Sequence, residues 1–376
     1  MKSANNHLQN KLDERRASGN YRTLKAENEL IDFCSNDYLG FARSQVLRQR
    51  IQAEVDNHPL SLNGSTGSRL LSGNLQYAVD LEQQLAAYHG FEAGLLFNSG
   101  YDANLGLLSS LAQRGDTIIL DELIHASAID GARLSNANRY SFKHNNLNSL
   151  EAKLKASKGN CYVIVESVYS MDGDSAPLTE ILNLTEKYGA HLIVDEAHAI
   201  GLYKRGLVSE SGLQNRIFAA VVTFGKALGC HGATVLSGKL LREYLINFAR
   251  PFIYSTAPSF HHLASIKMAY ELLNTADDEI TALKNNISIF KENITQSAET
   301  PLIPSDSAIQ CVVFKNNDQA RHAANTLQSA GLDVRPILSP TVAAGTERIR
   351  ICLHSFNTLN ELNLLTNIIN TLINAS

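Results

Sequence analysis

Two segments about thirty residues apart, Leu192-Ile-Val-Asp-Glu-Ala-His198 and Val221-Val-Thr-Phe-Gly-Lys-Ala-Leu-Gly229, decide the fold. Each opens on a short apolar run rich in β-branched residues and ends in reactive side chains. Such a run, with no polar alternation, predicts a strand buried on both faces. Asp195 and His198 follow the first run. Thr223 and Lys226 follow the second.

The same pattern recurs outward from this pair. Short apolar runs at 93–97, 116–121, 161–166 and 233–238 alternate with helical stretches at 104–114, 147–157 and 178–189. Strands alternating with helices predict an α/β fold with a mainly parallel central sheet. Composition shifts after a helix near 264–274. Beyond it, strands at 307–314, 333–338 and 348–354 and a closing helix predict a smaller α+β unit. The expected organisation is an N-terminal arm over 1–42, a large α/β domain over 43–275 and a small C-terminal domain over 276–376. The arm contains a charged helix near 8–17 and a strand and turn at 31–40. A glycine-rich loop follows at 63–73.

Composition limits the function. The chain has 376 residues, enough for a large core. Its net charge is −4 with no long basic run, so charge does not point to nucleic acid. Five scattered cysteines form no CxxC pair, which suggests a reducing compartment and neither a zinc site nor a disulfide framework. The N-terminus carries no apolar signal core, and no apolar stretch nears the roughly 20 residues of a membrane span. A cytoplasmic enzyme is expected.

Ligands of an open parallel sheet sit beyond the carboxyl ends of its strands. His125, Glu166, Ser170, Asp195, His198, Thr223 and Lys226 all fall just after predicted strands. A lysine and an aspartate on one edge suit pyridoxal 5'-phosphate (PLP). The lysine forms a Schiff base with the aldehyde, and the aspartate pairs with the protonated ring nitrogen. An isolated Gly-Lys is more often a solvated loop. The flanking glycines, the preceding strand and Asp195 favour the reactive reading here. Asp195-Glu-Ala-His198 also matches a helicase motif, but that needs a G-x-x-x-x-G-K-[ST] loop. Neither Gly225-Lys226 nor Gly238-Lys239 has the required upstream glycine or following hydroxyl. A lone His125 is commonly a satisfied core residue. His198 has no second ligand at metal spacing, so no metal is expected. Ser99-Gly100-Tyr101, before a helix expected to begin near Ala103, offers backbone N–H groups to a phosphate, or marks a plain turn.

With these residues placed, nearly the whole chain resembles the α-oxoamine synthases, fold-type I PLP-dependent transferases. The motifs FCSNDYLG, NGSTGSRLLSG, FNSGYDAN, IHAS, ESVYSMDGDSAPL, VDEAHAIG, TFGKALG, IYST and PTVAAGTERIRI carry the likeness in order. The resemblance implies Lys226 as the Schiff-base lysine and acid/base, Asp195 on the ring nitrogen and His125 stacked on the ring. It implies His198 and Ser170 near the phenolic oxygen, and Gly100, Tyr101 and Thr223 at the phosphate. Ser255 and Thr256 would reach the phosphate from the partner of a homodimer. Arg22, Thr341 and Arg350 would address substrate, Arg350 through the amino-acid carboxylate, with Glu166 supporting the site. Within the family, the length and Ser305-Asp-Ser-Ala-Ile-Gln310 look most like the biotin-pathway branch. That branch condenses L-alanine with pimeloyl-CoA or the acyl-carrier-protein thioester. Other amino acids and acyl chains, or a non-catalytic PLP-fold binding protein, are the rivals. Cys230-His231, Leu338 and Ile200 depart from the family pattern and bear on the acyl pocket.

Overall fold

The computed structural model describes residues 4–19, 21–24, 26, 29–295 and 297–374. Its central sheet has seven strands: β1 (Ala93–Phe97), β2 (Thr117–Asp121), β3 (Asn138–Phe142), β4 (Cys161–Glu166), β5 (His191–Asp195), β6 (Ala219–Thr223) and β7 (Ala233–Ser237). Their spatial order is β1-β7-β6-β5-β4-β2-β3. β7 runs antiparallel to both its neighbours, and every other pair is parallel. One sheet edge therefore collects the carboxyl ends of the other strands together with the amino end of β7.

Alternation along each strand divides the core between two faces. Ile119, Val163, Leu192, Val194 and Val222 join one cluster, and Ile118, Ile164, Ile193 and Val221 join the other. Burial on both faces is why these strands read as continuous apolar runs. β3 is different: all its residues but Phe142 are exposed, and it pairs only with β2 at the sheet margin. Its polar sequence suits an edge strand and hides it from a search for apolar runs.

In the C-terminal unit, Glu347–Cys352 lies antiparallel between Ile309–Phe314 and Arg335–Ile337. The segment after the N-terminal helix is woven into this unit. Ile31–Asp32 pairs parallel with Leu332–Asp333. The N–H groups of Cys352 and Ser355 donate to the carbonyls of Phe33 (2.8 Å) and Tyr38 (2.9 Å). Phe33, Tyr38 and Phe41 are buried. Among the described residues, no helix is long and apolar enough to cross a membrane.

Two charge clusters fix loops to this frame. In the glycine-rich loop, Arg69 makes a forked contact with Glu82 (2.8 and 3.3 Å). Glu82 also accepts Arg242 at 2.8 Å and the Leu96 N–H at 3.0 Å. Arg69 and Glu82 are both buried, so removing one leaves an uncompensated charge. Glu82→Ala is expected to cost about 3–5 kcal/mol in denaturant unfolding. Arg69→Met combined with Glu82→Leu should cost less than Glu82→Ala alone; the reverse order would contradict this account.

The second cluster pins β3. His144 bridges Asp121 (2.9 Å) and Asp174 (2.7 Å). Burial opposes its charge, but the two carboxylates outweigh burial and raise its pKa to about 10. An unfolded histidine titrates near 6.5. The raised value means that the stabilisation is complete below about pH 6.5 and is lost as pH rises through about 10. The stability gap between wild type and His144→Gln should therefore be widest near pH 6 and should close towards pH 10 in unfolding curves. A gap independent of pH would refute it.

Candidate active site

The shared sheet edge builds the site. β6 ends at Thr223, and the following turn carries Lys226 before the chain reverses into β7. Phe224 anchors both sides of that turn, donating to the Gly232 carbonyl (2.9 Å) and accepting the Cys230 N–H (2.7 Å). Gly229 closes it at φ +61°, where a Cβ would stand 2.3 Å from the Ala42 nitrogen, so only glycine fits. Because β7 runs backwards, His231 and Gly232 arrive at the same edge.

A cavity of about 280 Å³ brings together Lys226, Asp195, His125, His198, Thr223 and the Gly100-Tyr101 turn. Lys226 is half-buried. Burial lowers its pKa; Asp195 and Glu166 pull it back up, and Arg350 reinforces the fall. Asp195 is buried, and both its oxygens accept N–H groups: Oδ1 from Ala197 (2.9 Å) and Oδ2 from Asn104 (2.7 Å).

His125 caps the helix Ala126–Leu134, with Nδ1 at 2.8 Å from Ser127 Oγ. Its backbone N–H donates to Glu166 (2.7 Å), whose other oxygen accepts the Ser170 N–H (3.0 Å). Burial, then the nearby Asp195, raises the Glu166 carboxyl to about 8. His198 is buried, which drives its pKa well below the usual value. Its Nδ1 lies 2.7 Å from the Tyr38 hydroxyl.

The helix at Ser99 begins at Gly100, three residues earlier than expected. The Ser99 side chain explains the difference: it accepts the Asp102 N–H (3.0 Å) and caps the first turn. A Cβ on Gly100 would lie 2.5 Å from Thr223 Cγ2. Thr223 Oγ1 is buried with no hydrogen-bond partner among the described residues. An orphaned hydroxyl beside a close-packed helix start fits a phosphate group. With Lys226 and Asp195 in the same cavity, the residue set fits PLP.

Other predicted residues lie elsewhere. Ser170 is buried and takes part through its backbone, its carbonyl accepting Arg350 Nε (2.7 Å). Arg350 reaches the Lys226 cavity through Asn36, with Nη2 at 3.0 Å from Oδ1. Arg22 and Thr341 line a different cavity, of about 530 Å³, with Leu338. Thr256 is exposed and lines a third space that shares His231 and Gly232 with the first; Ser255 precedes it, half-buried. One protomer does not bring Ser255 or Thr256 to Lys226. Ile200 is a core residue. Among the described residues, no group of three or more His, Cys, Asp or Glu is arranged to hold a metal.

Sequence reasoning missed Asn36, Tyr38, Asn104 and Ser127. All four lie inside motifs that carry the resemblance, yet Asn and Ser there read as ordinary turn and cap formers.

A family model described as aminotransferase class I and II matches residues 28–363. An 8-amino-7-oxononanoate synthase from Emericella nidulans is 42% identical over 370 residues, covering 91% of this chain and 89% of that protein. A serine palmitoyltransferase from S. paucimobilis, solved with bound PLP-myriocin aldimine, superposes with a TM-score of 0.87 at 27% identity, over 98% of this chain and 97% of the other. The 8-amino-7-oxononanoate synthase of Francisella tularensis superposes with a TM-score of 0.79 at 27% identity, over 93% and 99%. The chain therefore belongs to the aminotransferase class I and II family, and within it to the α-oxoamine synthases, PLP-dependent acyltransferases built on the fold-type I architecture.

Proposed function

We propose that the enzyme condenses L-alanine with a pimeloyl thioester, on CoA or acyl carrier protein, releasing the thiol and CO2 to give 8-amino-7-oxononanoate. The observation that carries the choice of acyl chain is the 530 Å³ cavity. Arg15 and Arg22 line it, no acidic side chain does among the described residues, and Met171, Pro336, Ile337 and Leu338 supply apolar wall. Cationic and apolar lining together suit a short acyl chain that ends in a carboxylate. The named synthase relatives support the same reading.

Bound PLP would supply an electrophilic aldehyde and a ring that takes up the electron pair released at the amino-acid Cα. Lys226 would hold that aldehyde until the amino group of the amino acid displaces it, and the freed amine would then remove the Cα proton so that Cα bonds to the acyl carbon as the thiolate leaves. Its lowered pKa favours the neutral amine this requires. Asp195 would keep the ring nitrogen protonated. His125 would lie on the ring and hold the acyl oxygen, while His198, with Ser170, would face the phenolic oxygen. Gly100, Tyr101 and Thr223 would bind the phosphate. Arg350 would retain the amino-acid carboxylate until CO2 departs, after which Lys226 returns a proton.

We place the enzyme in the cytoplasm as a homodimer in which Ser255 and Thr256 complete the partner's phosphate site. Leu60, Leu71 and Tyr254, exposed at 95%, 84% and 72%, support a covered face near Thr256. The domain division at residues 42 and 275 is part of the same reading. A second reading, serine or glycine with another acyl thioester, is favoured by the likeness to serine palmitoyltransferase.

Alanine-dependent thiol release should be fast with pimeloyl-CoA and slow with acetyl- or palmitoyl-CoA. Faster release with serine and palmitoyl-CoA would transfer the assignment to the second reading. Lys226→Ala should lower turnover by about 10³-fold or more, and borohydride should no longer fix the cofactor to the chain. Arg22→Ala should raise the KM for pimeloyl-CoA by roughly tenfold to a hundredfold while sparing that for alanine, the loss of one charge-assisted contact. An equal change in both KM values would remove Arg22 from the acyl site.

A further inference from the structure

A hydrogen-bonded chain links two site residues that do not touch through their side chains. Asn104 Nδ2 donates to Asp195 Oδ2 (2.7 Å) and to Ser127 Oγ (3.0 Å). Ser127 Oγ lies 2.8 Å from His125 Nδ1. The Ser127 backbone N–H points at the same nitrogen (3.2 Å). Asn104 is 3% exposed and Ser127 is 0% exposed, so water does not compete for these contacts.

The hydrogen-bond inventory points to one arrangement, with the Ser127 backbone N–H, which can only donate, as the deciding contact. A carboxylate only accepts, so the amide of Asn104 must present nitrogen to Asp195. That NH2 group has two hydrogens, and the second reaches Ser127. Ser127 Oγ therefore accepts from Asn104, and its own hydrogen goes to His125 Nδ1. The Ser127 backbone N–H makes the same demand on Nδ1. Nδ1 of the neutral imidazole is then an acceptor, and the ring carries its proton on Nε2, the nitrogen left for the cavity.

We propose that Asn104 and Ser127 are positioning residues that transmit the orientation of the Asp195 carboxylate to the tautomer of His125, so that His125 presents Nε2–H as a donor to the substrate. This rests on the PLP reading of the site. Both line the Lys226 cavity, but their side-chain hydrogen bonds run to Asp195, to His125 and to each other. The other tautomer would turn a lone pair towards the acyl oxygen and repel it.

The wild-type protein gives the first test. Histidine ¹⁵N NMR of the apo and PLP-loaded enzyme, with His125 assigned by His125→Gln, should show Nε2 protonated and Nδ1 as an acceptor. A proton on Nδ1 would overturn the proposal without any positioning variant having to fold. The second test is a double-mutant cycle read from the visible band of the PLP-loaded enzyme. Ser127→Ala, which does not touch Asp195, should move the pH midpoint of that band by about half a unit to one unit, the order expected of one hydrogen bond. In an Asn104→Ala background, Ser127→Ala should move it no further. No shift from Ser127→Ala, or the same shift in both backgrounds, would break the relay. A protein that forms no visible band at all would instead fail the PLP reading, so the two failures are distinct.

Discussion

The site depends on taking a lysine and two carboxylates out of water together. Lys226, Asp195 and Glu166 share a largely buried region, where the charged form of each carries a heavy desolvation cost. The sheet reduces that cost by directing N–H groups at the carboxylates. Asp195 receives Ala197 and Asn104; Glu166 receives His125 and Ser170. Most of those donors come from turns just past the strand ends, where backbone groups are released from the ladder. The parallel strands therefore supply both the reactive side chains and the dipoles that let them be buried.

β7 makes the arrangement compact. Had it run parallel to β6, the chain would have needed a long crossover after Lys226. Its antiparallel course permits a tight turn, which leaves Lys226 little freedom and places His231 and Gly232 on the cavity wall. In the proposed reaction, acyl selectivity is separated from this rigid edge. Arg15, Arg22, Leu338 and Thr341 come from the N-terminal segment and the C-terminal unit, so they can vary without disturbing Asp195 or Lys226.

What was legible in the sequence follows from how local each signal is. The strands ending at Glu166, Asp195 and Thr223 were legible because burial on both faces writes itself as an apolar run. The direction of β7 was not, since composition carries no direction, and β3 was not, since an edge strand is polar. Asp195 and Lys226 stood out because few structural roles need those residues after such strands. Asn104 and Ser127 did not, because their partners lie 91 and 23 residues away and their chemistry matches any turn. The separation of Arg22 and Thr341 from the Lys226 cavity was likewise a product of tertiary placement.

The pairing of residues 31–38 with the far end of the chain has a consequence for biosynthesis. Ile31 waits for Leu332, Phe33 for Cys352 and Tyr38 for Ser355, so this segment leaves the ribosome some 300 residues before its partners exist. Tyr38 is also the group that holds His198. The central sheet can assemble while translation continues, but the Tyr38 that holds its histidine stays unanchored until Leu332, Cys352 and Ser355 emerge. A nascent chain thus carries the lysine and the aspartate before the segment that fixes the histidine has anything to pair with.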